Sequence, residues 1–141
     1  MKLGYVILYV PNVAASVLFY ERAFGLKPRF AHESGQYAEM ETGTTALAFA
    51  AEDLVSTMIA SFQRNHKDHP PAGAEIGFVS EDVAASFRQA VSAGAIAIVA
   101  PMQKPWGQTV SYVRDNNGFL VEICSKVGGG LLPFAPCPQP G

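Results

Sequence analysis

A five-residue segment occurs twice in this chain, and its surroundings occur twice with it. Residues 12–16 read Asn-Val-Ala-Ala-Ser and residues 82–86 read Asp-Val-Ala-Ala-Ser, 70 positions apart. Asn12 and Asp82 are N-cap residues, whose side chains accept from free backbone N–H groups in a helix's first turn. A β-rich apolar run, 5–10 or 75–79, precedes each pentad. About three helical turns follow each, with apolar residues spaced to fall on one face. In the first helix these are Val13, Val17, Tyr20 and Phe24; in the second, Val83, Phe87 and Val91. Gly25 and Gly94 then stand where a helix ends in a left-handed residue.

The rest of each unit repeats as well. Residues 36–42 and 44–51 form an expected hairpin around Gly43, and residues 108–115 and 119–125 another around Asn116-Asn117-Gly118. Residues 27–33 and 96–102 supply one more strand apiece. The order is βαβββ twice, over about residues 3–51 and 73–126, joined by a linker, 52–72. The expected class is α+β: one domain, 1–126, with a curved mixed sheet and helices on its convex side. Within the linker, 53–62 reads as a short helix and His66 to Pro71 as an exposed turn. Residues 127–141, rich in glycine and proline, read as an extended tail whose Leu131, Leu132 and Phe134 could dock on a surface or a second subunit.

Composition narrows the partners. The net charge of −2 argues against a nucleic acid or an anionic membrane, because nothing would neutralise a run of phosphates. No apolar run has transmembrane length, and the N-terminus lacks a signal-peptide layout. Two cysteines, Cys124 and Cys137, make no disulfide framework. A cytoplasmic protein is expected.

Strand alternation separates two faces. Val6, Leu8, Val10, Leu47, Phe49, Ile76, Phe78, Phe119, Val121 and Ile123 should lie under the helices. The opposite face carries Tyr5, Ile7, Tyr9, Ala48, Glu75 and Glu122. A turn at Gly43-Thr44 would set Glu39 opposite Ala48, with Tyr37 on the same face. Glu39, Glu75 and Glu122 are therefore expected to converge with tyrosines on one concave surface. Glu122 stands out because Phe-Leu-Val-Glu-Ile-Cys is an apolar run, where an unpartnered charge is costly. Trp106, in Lys-Pro-Trp-Gly-Gln, is placed to stack on a planar ligand or to anchor its loop. Against these functional readings stand plain ones: a strand glutamate usually faces solvent, and sheet tyrosines often only pack.

Residues 5–13 (Tyr-Val-Ile-Leu-Tyr-Val-Pro-Asn-Val), with Phe19-Tyr20 and Phe24-Gly25-Leu26, resemble the opening of a vicinal-oxygen-chelate protein, the superfamily of glyoxalases, bleomycin-resistance proteins and extradiol dioxygenases. Residues 114–122 (Arg-Asp-Asn-Asn-Gly-Phe-Leu-Val-Glu) resemble its closing hairpin, and the resemblance runs over roughly residues 3–126. It implies metal ligands on the first, fourth, fifth and eighth strands. The corresponding residues are Tyr5, Ala48, Glu75 and Glu122, of which only Glu122 is a standard match. A tyrosine keeps its proton up to about pH 10 and binds divalent metals poorly; alanine offers no ligand. An iron site for ring-cleaving dioxygenation is thus not expected.

Two functions remain open. One is a lyase- or isomerase-like enzyme acting on a small oxygen-containing or aromatic compound, with Glu75 and Glu122 as catalytic groups or as ligands of Mg, Mn, Zn or Ni. The other is a metal-free protein that sequesters a drug or antibiotic, with Tyr5, Tyr9, Tyr37, Glu39, Ala48 and Trp106 shaping the ligand site. Metal-free proton transfer between clustered carboxylates is a third possibility. The resemblance also implies a homodimer.

Overall fold

The structure is a computed structural model and describes residues 1–127; the expected docking of Leu131, Leu132 and Phe134 lies outside the described residues. The elements run β1 (Tyr5–Val10), α1 (Val13–Phe24), β2 (Pro28–Ala31), β3 (Tyr37–Met40), β4 (Ala46–Ala51), α2 (Glu52–Val55), β5 (Glu75–Val79), α3 (Val83–Ser92), β6 (Ile96–Gln103), β7 (Thr109–Arg114) and β8 (Leu120–Cys124). Both expected βαβββ units are present. They form two four-stranded sheets, in the orders β1-β4-β3-β2 and β5-β8-β7-β6. In each, the first strand pairs in parallel with the last and the remaining pairs are antiparallel.

The pentads do what their chemistry dictates. Asn12 Oδ1 accepts from the backbone N–H of Ala15 at 2.9 Å, and Asp82 Oδ1 from that of Ala85 at 3.0 Å. Gly25 closes α1 in the left-handed region. The linker helix is shorter than expected, four residues instead of ten. Its first turn has no side-chain cap, and a helix this short has little beyond tertiary contacts to sustain it.

One core joins both units. The first helix packs on its own sheet and against α3, which covers β6, β7 and β8. The Tyr20 ring lies 4.9 Å from that of Phe49 on β4 and 6.5 Å from that of Phe78 on β5, and Phe24 is 5.1 Å from Phe78. A helix of the first unit thus packs its aromatic face against strands of both sheets. Each such side chain removed from water contributes about 1.5–3 kcal/mol.

Alternation holds with two departures. Val6 is not under a helix; it is 39% exposed and lines a cavity between the units. Val91 is also exposed, and Ala90 fills the core position beside it.

The linker is fastened at both ends. Arg64 pairs with the buried carboxylate of Glu52. It also lies over the ring of Phe62, which packs edge-on against Tyr9 at 5.1 Å. Further on, Arg114 donates to the backbone carbonyls of His66, Lys67 and His69 as well as Gly118.

Candidate functional site

The registers place the halves of the site on matching rows. Ala48 lies between Ile7 and Glu39 in the first sheet; Glu122 lies between Gly77 and Tyr112 in the second. The expected pairing of Glu39 with Ala48 is observed. Tyr5 and Glu75 occupy equivalent positions, each two residues before its row.

Glu75 and Glu122 meet. Gly77, in the row of Glu122, presents no side chain; a Cβ there would lie 4.0 Å from Glu122 Oε2. The two carboxyl groups lie close enough for the charge of one to act on the other. Desolvation, then the nearness and charge of Glu122, hold the Glu75 carboxyl above its ordinary range, although part of its surface is open to solvent. Glu75 therefore holds its proton to a higher pH than an isolated glutamate does.

Tyr112, Cys124 and Gln108 complete this face. Burial, then the charges of Glu122 and Glu75, push the Tyr112 phenol up. Burial, then Glu122, does the same to the Cys124 thiol. Gln108 Nε2 donates to the Ser125 carbonyl, and Gln108 Oε1 accepts from Trp106 Nε1 at 2.9 Å. Trp106 is 57% exposed, so its ring is oriented by the hydrogen bond rather than packed into the core.

Glu39 does not join the other two carboxylates. It lies on the other sheet, accepting from Arg29 Nε at 3.1 Å and from the Tyr37 hydroxyl at 3.0 Å. Desolvation and that bond raise the Tyr37 phenol to about 12. Glu39 is thus neutralised locally, by an arginine that alternation alone did not mark. Ala48 is fully buried and presents no surface to a ligand. Tyr9 is covered by Phe62. Tyr5 is 53% exposed beside Tyr37. Tyr112 was the residue the sequence reading missed. A three-residue turn centred on Asn117 sets it opposite Glu122, so the signal was present.

A cavity of about 480 Å³ opens between the units. Val6, Leu26, Leu47, Ile76 and Phe78 form its apolar walls, and Glu75 stands at its side. The size suits a small organic ligand.

Glu75, Glu122 and the groups beside them do not fit a divalent metal. Among the described residues, no three His, Cys, Asp or Glu side chains gather around a point that could hold one. Glu75 and Glu122 offer oxygen only, and the Tyr112 and Cys124 groups beside them are pushed away from their anionic forms. Zinc and nickel sites favour nitrogen or thiolate.

The sequence profile of the Glyoxalase-like domain matches residues 3–128. The chain belongs to this family. A glyoxalase-related enzyme from Fulvimarina pelagi shares the fold at a TM-score of 0.76 and 19% identity, over 89% of this chain and 88% of that one. A glyoxalase/bleomycin resistance protein/dioxygenase family enzyme from Burkholderia phytofirmans PsJN superposes at 0.78 with 21% identity, over 89% and 98%. TioX from Micromonospora sp. ML1 superposes at 0.68 with 20% identity, over 89% and 98%. At these identities the likeness is one of fold. No curated protein matched the sequence. The family assignment agrees with the hairpin resemblance at residues 114–122, and among the described residues no helix is long and apolar enough to cross a membrane.

Proposed function

We propose that this glyoxalase-like protein binds a small organic compound without a metal, anchoring a hydrogen-bonding or cationic group on the Glu75–Glu122 pair. The observation that carries this reading is the convergence of Glu75 and Glu122 beside Gly77, whose missing side chain leaves the space next to Glu122 Oε2 clear. Two neighbouring carboxyl groups offer acceptors to such a group, and Glu75, when it holds its proton, also a donor. Tyr112, opposite Glu122, supplies a flat surface, and the apolar cavity that Glu75 also lines takes the rest of the ligand. The test is a fluorescence titration. Trp106 is the sole tryptophan, so small cationic aromatic compounds should quench it saturably, and Glu75→Gln with Glu122→Gln should abolish the effect. No saturable quenching across a broad panel would sink the reading.

Proton transfer is a second reading, favoured by the raised Glu75 carboxyl. A carboxyl whose pKa is raised stays protonated, as a general acid must be, to a higher pH and is a stronger base once ionised. Exchange of carbon-bound hydrogen in small hydroxy-ketones in heavy water, insensitive to chelators and lost in Glu75→Gln, would support it. Equal exchange in wild type and variant would refute it.

We also propose that the chain assembles with a second copy. Strands β1 and β5 are both edge strands, and Tyr5, Ile7 and Val79 are exposed along them (53%, 43% and 61%). The repeat makes the two edges alike, so a twofold pairing would cover both at once. Light scattering during gel filtration would report a dimer, and Ile7→Glu would shift it to monomer.

A further inference from the structure

The turn that enters β5 from the linker carries two histidines and no role in the site above. His66 and His69 have ring centroids 5.0 Å apart, with planes inclined at 40°. Two imidazoles that share a metal ion at about 2.0–2.1 Å per nitrogen have centroids roughly 4.5–5.2 Å apart when the ligand angle is near 90–110°. The observed spacing falls within that range.

The turn is held rigid from below. Arg114 is buried and donates to the His66 carbonyl at 2.9 Å, that of Lys67 at 3.0 Å and that of His69 at 2.6 Å. The backbone N–H of His69 also returns to the His66 carbonyl at 3.1 Å. Both histidines therefore stand on a backbone fixed by their own carbonyls, while their rings face outwards. Preorganisation of this kind removes much of the ordering cost of chelation.

The carboxylate of Asp68 lies 3.7 Å from His66 Nδ1. In the free turn that nitrogen accepts from the Asp68 backbone N–H at 3.2 Å. If Nε2 takes a metal, the ring proton belongs on Nδ1; the bond from the Asp68 N–H is then given up, and a small turn of the ring brings Nδ1–H to the Asp68 carboxylate. That is the carboxylate–histidine–metal relay by which outer groups orient a ligand.

We propose that His66 and His69 form a two-histidine chelate for a late first-row divalent ion, Cu²⁺ before Ni²⁺ or Zn²⁺, with Asp68 orienting His66. The order follows from the preference of imidazole and from the general affinity series. Among the described residues no third His, Cys, Asp or Glu completes the set, so water or an exchangeable ligand fills the remaining positions. The chelate is separate from Glu75 and Glu122 and does not depend on the function proposed for them.

The experiment is titration of the full chain with Cu²⁺, Ni²⁺, Zn²⁺ and Mg²⁺ by calorimetry, with histidine ring signals followed by NMR. One ion per chain is expected, with Cu²⁺ selectively broadening the His66 and His69 rings and Mg²⁺ having no effect. His66→Gln and His69→Gln, which leave the clamped carbonyls in place, should each weaken Cu²⁺ by about tenfold or more, because each removes one arm of an intramolecular pair. His32→Gln and the double variant Glu75→Gln, Glu122→Gln should bind as wild type does. The proposal is overturned if wild type shows no saturable binding, if both histidine variants retain full affinity, or if the His32 or the glutamate variant is the one that loses it.

Discussion

The hydroxyl of Tyr20, on α1 in the first unit, donates at 2.7 Å to the carboxylate of Asp115, 95 residues further on in the second. Both side chains are buried. Asp115 also accepts from the backbone N–H groups of Asn117 and Phe119, each at 2.8 Å. The carboxylate that shapes the β7–β8 turn is thus the one that ties the two units together. Burial raises the Asp115 carboxyl, and the Tyr20 bond is the foremost of the hydrogen bonds that oppose the rise.

Tyr20→Phe should therefore cost about 1.5–3 kcal/mol, the range for a hydrogen bond to a charged group. The cost depends on pH. Removing the bond raises the folded-state pKa of Asp115 further, so the folded variant holds its proton longer than the unfolded chain does. Stability of the variant then falls as pH rises through the interval between those two values. Urea denaturation should find the gap from wild type largest at neutral pH and smallest below the carboxylate range.

Gly118→Ala should be more damaging than an ordinary turn substitution. Gly118 has φ of 88°, and an added Cβ would lie 2.7 Å from Arg114 Nη2 and 2.8 Å from the His66 carbonyl oxygen. The strain of the left-handed conformation and the displaced clamp together should cost at least about 2 kcal/mol. Thermal unfolding would measure the loss, and hydrogen exchange would show it spreading into residues 66–69.

Glu122→Gln should bring the Glu75 carboxyl down towards its ordinary range. The repulsion disappears, and the glutamine amide can donate to an ionised Glu75. Wild-type stability should fall as pH rises from the ordinary carboxylate range through the raised Glu75 value, because the folded state binds the extra proton there. The variant should show a flatter profile. Carbon-detected NMR titration of the side-chain carboxyl follows the group directly.

Glu39→Gln should lower the Tyr37 phenol from about 12. The substitution removes a charge that opposes the phenolate and leaves Arg29, which favours it. The phenolate absorbance against pH should gain a transition nearer to that of an ordinary tyrosine. An unchanged curve would mean that burial alone holds Tyr37 up.

Much of the fold was legible in residue order. Asn12 and Asp82 cap helices because a short polar side chain before an apolar periodic run has few better uses, and that is local chemistry. The connection 41–45 keeps Glu39 opposite Ala48 because the length of a hairpin loop fixes which residues of its strands face each other. The linker helix fell short of expectation because apolar spacing over 53–62 says nothing about whether a packing surface awaits it.

The sequence by itself determined the tandem βαβββ order, the family and the rows on which Glu75 and Glu122 would stand. These follow from period, caps and turns, each of which acts within a few residues. Only the tertiary structure decided which carboxylates meet. Glu75 and Glu122 come together because β5 and β8 pair in parallel and Gly77 leaves the space between them clear. Glu39, on an equally open strand by its pattern, is claimed by Arg29 and Tyr37. Charges interact through space over a few ångströms, and alternation along a strand assigns a face without assigning a neighbour.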